Sequence, residues 1–281
     1  MLIFNKQADL SLHLESLPLP KTIGFVPTMG ALHEGHLSLL KTSIQNNTVT
    51  VISIFVNPTQ FNNSDDLEKY PRTLENDIDK ISSVSNDIIV YAPETEDLYR
   101  GKTESEHFDF DGLENKMEGR FRAGHFDGVG TIVRMLFTIV KPANAYFGEK
   151  DFQQLQIIRK LASKYKLPVN IVACPIYREI NGLAMSSRNE RLSAQERSDA
   201  SVIYKTLQHV RERFGIIDVS TIAADVQALL HQKPDFKLEY FEIADEETLE
   251  PVTELTPGGK YRAFIAVFVN KIRLIDTISL N

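Results

Sequence analysis

Residues 22–36 read TIGFVPTMGALHEGH, and the way this stretch divides decides the fold. Its first half, TIGFVPT (22–28), is β-branched and nearly continuous in apolar residues, as a strand covered on both faces must be. Its second half, MGALHEGH (29–36), sets two histidines three residues apart among glycines. The segment HLSLLKTSIQN (36–46) follows, with Leu37, Leu40 and Ile44 spaced for one helix face. VTVISIFVN (49–57) then repeats the strand pattern, so the opening is a β-α-β unit.

The same alternation continues outward. NDIIVYAP (86–93), ANAYFG (143–148) and VNIVACP (169–175) read as further short strands. Residues 129–140 are apolar on nearly all sides, as in a buried helix, and residues 151–166 predict an amphipathic helix with Leu155, Ile158 and Leu161 on one face. Such alternation predicts an α/β fold with a Rossmann-like open, mostly parallel sheet. Beyond residue 176 the pattern changes. Helical segments 196–214 and 220–232 precede LEYFEIAD (238–245) and RAFIAVFVN (262–270), and PGG (257–259) separates those two strands. The expected organisation is a nucleotide-type domain over 1–176 and a smaller α+β C-terminal domain over 177–281.

Composition narrows the function classes. The 281 residues are 42% hydrophobic and 25% charged, as in an ordinary globular chain. With 31 basic and 38 acidic residues, 31 − 38 = −7, so no global basic field exists to hold nucleic acid. MLIFNKQADLSLHLE lacks the pattern of a secretory leader, and no run approaches the roughly 20 apolar residues of a membrane span. The single cysteine, Cys174, excludes an intrachain disulfide and sits in an apolar run as a buried thiol would. The expectation is a soluble, cytoplasmic protein with neither nucleic-acid nor membrane partners.

The histidine pair admits three readings: a metal site, a phosphate cradle, or a turn that happens to hold two imidazoles. Zinc would need a third ligand, and neither a nearby cysteine nor an HExxH pattern supplies one. A phosphate cradle suits the position, at the carboxyl end of a strand where a helix begins. Gly30 and Gly35 would let the backbone approach an anion, and His33 and His36 fall on one side of a helical turn. The common cradles are missing. Gly101-Lys102-Thr103 ends like a Walker loop, but position 96 is Glu, and Gly124, Gly128 and Gly130 lack GxGxxG spacing.

Three more stretches carry chemistry. In NPTQF (57–61), Asn57 and Gln60 offer amides suited to orienting a small polar substrate. In FGEKDFQQL (147–155), Lys150 could meet phosphates and Asp151 could cap a helix or bind a ribose hydroxyl, with Gln154 one turn on. In MSSRN (185–189), Ser186, Ser187 and Arg188 could hold phosphate oxygens, or the segment could simply start a helix. Taken singly, NPTQF and FGEKDFQQL are equally well loop chemistry.

HEGH (33–36) resembles the HxGH motif of the nucleotidylyltransferase superfamily, shared with class I aminoacyl-tRNA synthetases. MSSRN is loosely similar to the synthetase KMSKS loop, with one cation where that loop has two lysines. Taken in order, PTMGALHEGH (27–36), NPTQF, YPRT (70–73), GHFDGV (124–129), FGEKDFQQL and MSSRN resemble the pantothenate synthetase, or pantoate–β-alanine ligase, family. The resemblance implies ATP-dependent condensation of pantoate with β-alanine through pantoyl adenylate, releasing AMP and pyrophosphate. It also implies Mg²⁺ and a homodimer.

Carried onto this chain, the resemblance gives His33, His36, Lys150 and Arg188 catalytic roles. Met29, Gly30, Ala31, Leu32, His33, Glu34, Gly35 and His36 would line the ATP site. Gly148, Glu149, Lys150 and Asp151, the backbone of Tyr177, and Met185, Ser186, Ser187 and Arg188 would complete it. Gln60 and Gln154 would hold pantoate, with Gln60 also reaching β-alanine and Asn57 beside it. Asp77 matches a position associated with Mg²⁺. Tyr70 and Arg122 would shape the pocket, and His125 would be structural. Phe152, where Tyr is frequent, and a bulky Tyr177 depart from the pattern. Two other functions fit HEGH alone: a nucleotidyltransferase that leaves AMP in a lasting product, and a nucleotide- or tRNA-binding module without catalysis.

Overall fold

Six strands, β1 (Leu2–Phe4), β2 (Ile23–Thr28), β3 (Val49–Ile54), β4 (Ile89–Tyr91), β5 (Asn144–Gly148) and β6 (Asn170–Cys174), form one sheet in the order β1-β4-β3-β2-β5-β6. Every pairing in it is parallel. This computed structural model describes residues 1–62 and 64–281. From β2 the chain winds outward through β3 to β4, then returns to β5 on the other flank of β2. The winding direction therefore reverses beside β2, and open α/β sheets bind ligands at the carboxyl ends of strands at such a switch point. Residues 29–36 leave β2 at that end.

Alternate β2 side chains point to opposite faces. Val26 joins Leu37, Leu40, Ile52, Ile81 and Val90 under the helices Glu34–Asn46 and Leu74–Val84. Phe25 faces the other layer, where Phe137 of the helix His125–Val140 meets it edge-on at 6.3 Å. Each such apolar side chain contributes roughly 1.5–3 kcal/mol on full burial, which fixes the register of the helices over the sheet. One periodicity expectation is corrected. Ile44 is exposed, and Ser43 takes the inward place, its hydroxyl 2.9 Å from Thr50 on β3. A short hydroxyl pair fits where the helix runs close over the strands.

The chain separates into two units: Met1–Gly148 with Gln154–Cys174, and Glu149–Gln153 with Pro175–Asn281. In the second unit, β7 (Phe236–Asp245), β8 (Tyr261–Val269) and β9 (Ile272–Ser279) make an antiparallel sheet. Helices Ser201–Arg213 and Val219–His231 bury Ile203, Leu207, Val226 and Leu230 in a core with Ala263 and Ile265 of β8. The segment expected as one helix from 196 is two, Ala194–Asp199 and Ser201–Arg213, the first started by a Ser193–Glu196 capping box. No helix among the described residues is long and apolar enough to cross a membrane.

Candidate active site

The end of β2 turns sharply into the helix that carries the histidines. Gly30 has φ +80° and Ala31 φ +49°. The left-handed region costs a residue with a Cβ about 1–2 kcal/mol, so Ala31 needs outside support. The amides of this turn are taken up one by one. Gly30 N–H donates to Thr28 Oγ1 at 3.2 Å, Ala31 N–H to Asp77 Oδ2 at 3.0 Å, and Leu32 N–H to Asp77 Oδ1 at 2.7 Å. The Leu32 carbonyl accepts from Lys80 Nζ at 2.6 Å.

His33 is the N-cap of helix Glu34–Asn46, and the His33 and His36 rings stack with centroids 4.0 Å apart, tilted by 26°. His33 N–H donates to His36 Nδ1 at 3.3 Å. An accepting Nδ1 carries no proton, so the neutral His36 ring holds its proton on Nε2. Both rings are half-buried, while Leu32 is buried and Glu34 exposed. The pair thus offers imidazole donors at the positive end of a helix.

The NPTQF turn is built inside out. Asn57 is buried, its Nδ2 donating to Gln60 Oε1 at 3.2 Å and to the Gly128 carbonyl at 3.1 Å. Its Oδ1 accepts from Tyr99 Oη at 2.6 Å and Thr59 Oγ1 at 3.2 Å. Burial pushes the Tyr99 hydroxyl above its ordinary pKa, while its bonds with Thr59 and Asn57 draw it down. Asn57 therefore holds Gln60 in place. Gln60 Nε2 reaches Met29 Sδ at 2.9 Å, a weak acceptor that a substrate oxygen would outcompete. His125 Nδ1 lies 2.9 Å from the Gln60 carbonyl; a carbonyl only accepts, so this nitrogen is protonated. Phe61 and Tyr70 meet edge-on at 5.5 Å, and Arg122 pairs with Glu118 at 3.9 Å.

Gly128 lets the helix His125–Val140 touch this turn. A Cβ there would collide with the Thr59 carbonyl and the Gln60 amide, which are backbone and cannot swing aside. Gly128→Ala should cost about 1–3 kcal/mol in overpacking. Thermal melts of the variant check this; an unchanged melting temperature would contradict the close approach of helix and turn.

Asp77 has no accessible surface, although it stands on the wall of a cavity of about 430 Å³ with Met29, Gly30, Ile54, Arg72 and Thr73. Thr73 Oγ1 is a third donor to its carboxylate, at 3.3 Å. These surroundings do not fit a divalent cation. The oxygens are engaged by amide and hydroxyl donors, Lys80 approaches the same turn, and no group of three or more His, Cys, Asp or Glu among the described residues could hold a metal. Gly148 closes β5 opposite Cys174, which is buried, and Gln154 lies half-buried in helix Phe152–Lys164.

The other candidates belong to the second unit. Lys150 is partly buried, 3.6 Å from the exposed Asp151. Glu149 is held by Arg262, whose Nη2 is 3.3 Å away; Arg262 also pairs with Glu246 at 2.9 Å and lies 4.0 Å over the Phe152 ring. The Tyr177 carbonyl accepts from Met185 N–H at 2.9 Å, closing a small loop whose arms bridge at Arg178 and Ala184. Ser186 caps the 3₁₀ turn Ser187–Arg191, accepting from Arg188 N–H at 3.3 Å. Met185, Ser186, Ser187 and Arg188 are all half-buried. Buried Asn189 anchors them, donating to Glu179 Oε1 at 2.6 Å and to the Ala184 carbonyl at 3.1 Å.

Sequence reasoning missed Tyr99, Asn189, Arg262 and Lys80. Tyr99, Lys80 and Arg262 act through partners remote in the chain, whereas Asn189 lay inside a motif and bonds to Glu179 and Ala184 close by.

A family model described as pantoate-beta-alanine ligase matches residues 2–279. Among curated relatives, a pantothenate synthetase of Flavobacterium psychrophilum is 59% identical over 281 residues, covering 100% of both chains. Among solved structures, pantothenate synthetase from Thermus thermophilus superposes with a TM-score of 0.91 at 37% identity, covering 100% of this chain and 99% of that one. A pantoate-beta-alanine ligase from Francisella tularensis, complexed with beta-gamma ATP and beta-alanine, gives 0.81 at 33% identity, covering 100% and 98%.

Proposed function

The chain belongs to the pantoate-beta-alanine ligase family, and from that premise we propose the route by which it joins pantoate to β-alanine with ATP. The pantoate carboxylate attacks the α-phosphorus of ATP, pyrophosphate leaves, and pantoyl adenylate forms. The β-alanine amine then attacks the acyl carbon, forming the amide and expelling AMP with one oxygen from pantoate. Phosphoryl transfer of this kind needs positioning and charge stabilisation more than covalent help.

The observation that carries the reading is the stacked pair with His33 N–H on His36 Nδ1. With its proton on Nε2, His36 acts as a neutral donor to phosphate oxygens as charge builds on the leaving pyrophosphate. A second proton on Nδ1 would break the bond from His33 and place a cation at a positive helix end. His36 therefore stabilises charge without transferring a proton.

His33 shares this work, and Lys150, Ser186, Ser187 and Arg188 supply further phosphate donors. Gly148, Glu149, Asp151, Met185 and the Tyr177 backbone complete ATP binding. Gln60 and Gln154 hold pantoate. Residues 1–176 carry ATP and pantoate binding, and residues 177–281 carry the MSSRN loop. Magnesium enters with ATP, as part of that substrate. A homodimer and a cytoplasmic location rest on the family resemblance, and solution mass tests the former. With pantoate, β-alanine and Mg-ATP, the purified chain should release AMP and pyrophosphate; ADP as product would end the adenylate route.

A further inference from the structure

We propose that Asp77 and Lys80 form a clamp that sets the turn ahead of the histidine pair, and that Asp77 is a positioning residue for the adenylation step. The inference rests on the phosphate role of His33 and His36 given above.

Asp77 and Lys80 lie one turn apart on the helix Leu74–Val84, so their side chains leave the same face. That face meets the backbone of residues 31 and 32 with matched polarity. The carboxylate takes the Ala31 and Leu32 N–H groups at 3.0 and 2.7 Å, and the ammonium takes the Leu32 carbonyl at 2.6 Å. Ile81, buried one residue beyond Lys80, seats the helix in the core shared with Leu32, Leu37 and Leu40, so the clamp stands on a rigid support.

The turn needs such a clamp. Ala31 sits in the left-handed region, and a strained residue persists only when its surroundings over-determine it. Hydrogen bonds to a charged acceptor are about twice as strong as neutral ones, which suits a carboxylate here. Gly30 leaves the space the clamp requires, since a Cβ there would lie 3.0 Å from Asp77 Oδ2. His33 follows Leu32 directly, so a shift of the turn moves the first imidazole and, through His33 N–H, the second. Asp77 thus governs the phosphate donors without touching the nucleotide. This replaces the magnesium role that the resemblance assigned to it.

The experiment has two arms. In the wild-type chain, residue-resolved hydrogen exchange should show the Ala31 and Leu32 amides protected; exchange at the rate of free amides would overturn the clamp without needing any variant. Asp77→Asn keeps the shape but presents an amide NH₂ to one of the two donors. It should speed exchange at both amides by at least about tenfold, as loss of one charge-assisted bond implies. It should also lower kcat for pantoate-dependent pyrophosphate exchange by about tenfold or more, with KM for β-alanine unchanged. The concentration of Mg²⁺ giving half-activation should stay where it is. A rise in that concentration, with rate restored by excess Mg²⁺, would overturn the proposal in favour of a metal ligand. A lowered melting temperature with wild-type kcat below the melt would reduce Asp77 to a fold contact. Failure of the histidine reading shows separately, as an unaffected His36→Ala.

Discussion

His36→Ala is expected to lower kcat for pantoate-dependent pyrophosphate exchange by about 10²–10³-fold, the usual loss when one preorganised donor to a developing oxyanion is removed. The ring is half-buried, and the helix behind it is held by Leu37 and Leu40, so the fold should survive the change. The tautomer sharpens the prediction. If His36 donates from a neutral Nε2–H, then His36→Gln, which retains an N–H donor, should recover part of the loss. An obligatory proton transfer from an imidazolium would leave Gln as poor as Ala. Steady-state exchange assays on both variants, with melting curves as the folding control, distinguish the two. Wild-type exchange in His36→Ala would remove this residue from the mechanism.

Asp276→Ala is expected to cost about 3 kcal/mol, the low end for breaking a buried ion pair. Asp276 is buried; desolvation holds its carboxyl above the ordinary range while Arg178 draws it down. Arg178 grips it with two bonds, at 2.7 and 3.0 Å, and the Thr277 amide adds a third at 2.7 Å. Without the carboxylate, Arg178 keeps the Gly182 carbonyl at 3.1 Å and the Tyr204 ring at 3.7 Å, which is why the low end applies. For a chain of this size, such a loss lowers the melting temperature by on the order of 10 °C. Arg178 also bridges to Ala184, so the loop leading into Met185–Arg188 should loosen with it. Pairing Asp276→Leu with Arg178→Met should restore most of the stability, because two apolar groups leave no buried charge behind. A melt unchanged in Asp276→Ala would contradict the account.

The parallel sheet was legible because its strands are covered on both faces and read as uninterrupted apolar runs. β1 was not: three residues at a sheet edge, two of them exposed, leave no pattern. β9 was missed for another reason. Its run IRLIDTIS places Asp276 inward and carries Arg273, so charge hid a strand whose register is plain once β8 is beside it. Ile44 shows the reverse error, since a hydrophobic residue at helical spacing was read as core where Ser43 is buried.

Among the candidate residues, the histidines, Gln60 and the MSSRN loop drew attention because each sits where a strand or loop ends in a recognisable motif. Asp77 drew attention through resemblance, but its surroundings come from donors 45 and 46 residues earlier in the chain. Spacing along a sequence does not reveal which backbone amides converge on a carboxylate. The same holds for Tyr99 and Asn57, joined across 42 residues. Motifs single out candidate groups; the partners that hold them in place become visible only in the fold.

The central claim is that pantoate is activated as an adenylate before the amide forms. Pantoate labelled with ¹⁸O in its carboxylate, turned over with β-alanine and Mg-ATP, tests it most directly. The account predicts AMP carrying one ¹⁸O from pantoate, with pyrophosphate unlabelled. Label in inorganic phosphate alongside ADP, or AMP without label, would contradict it.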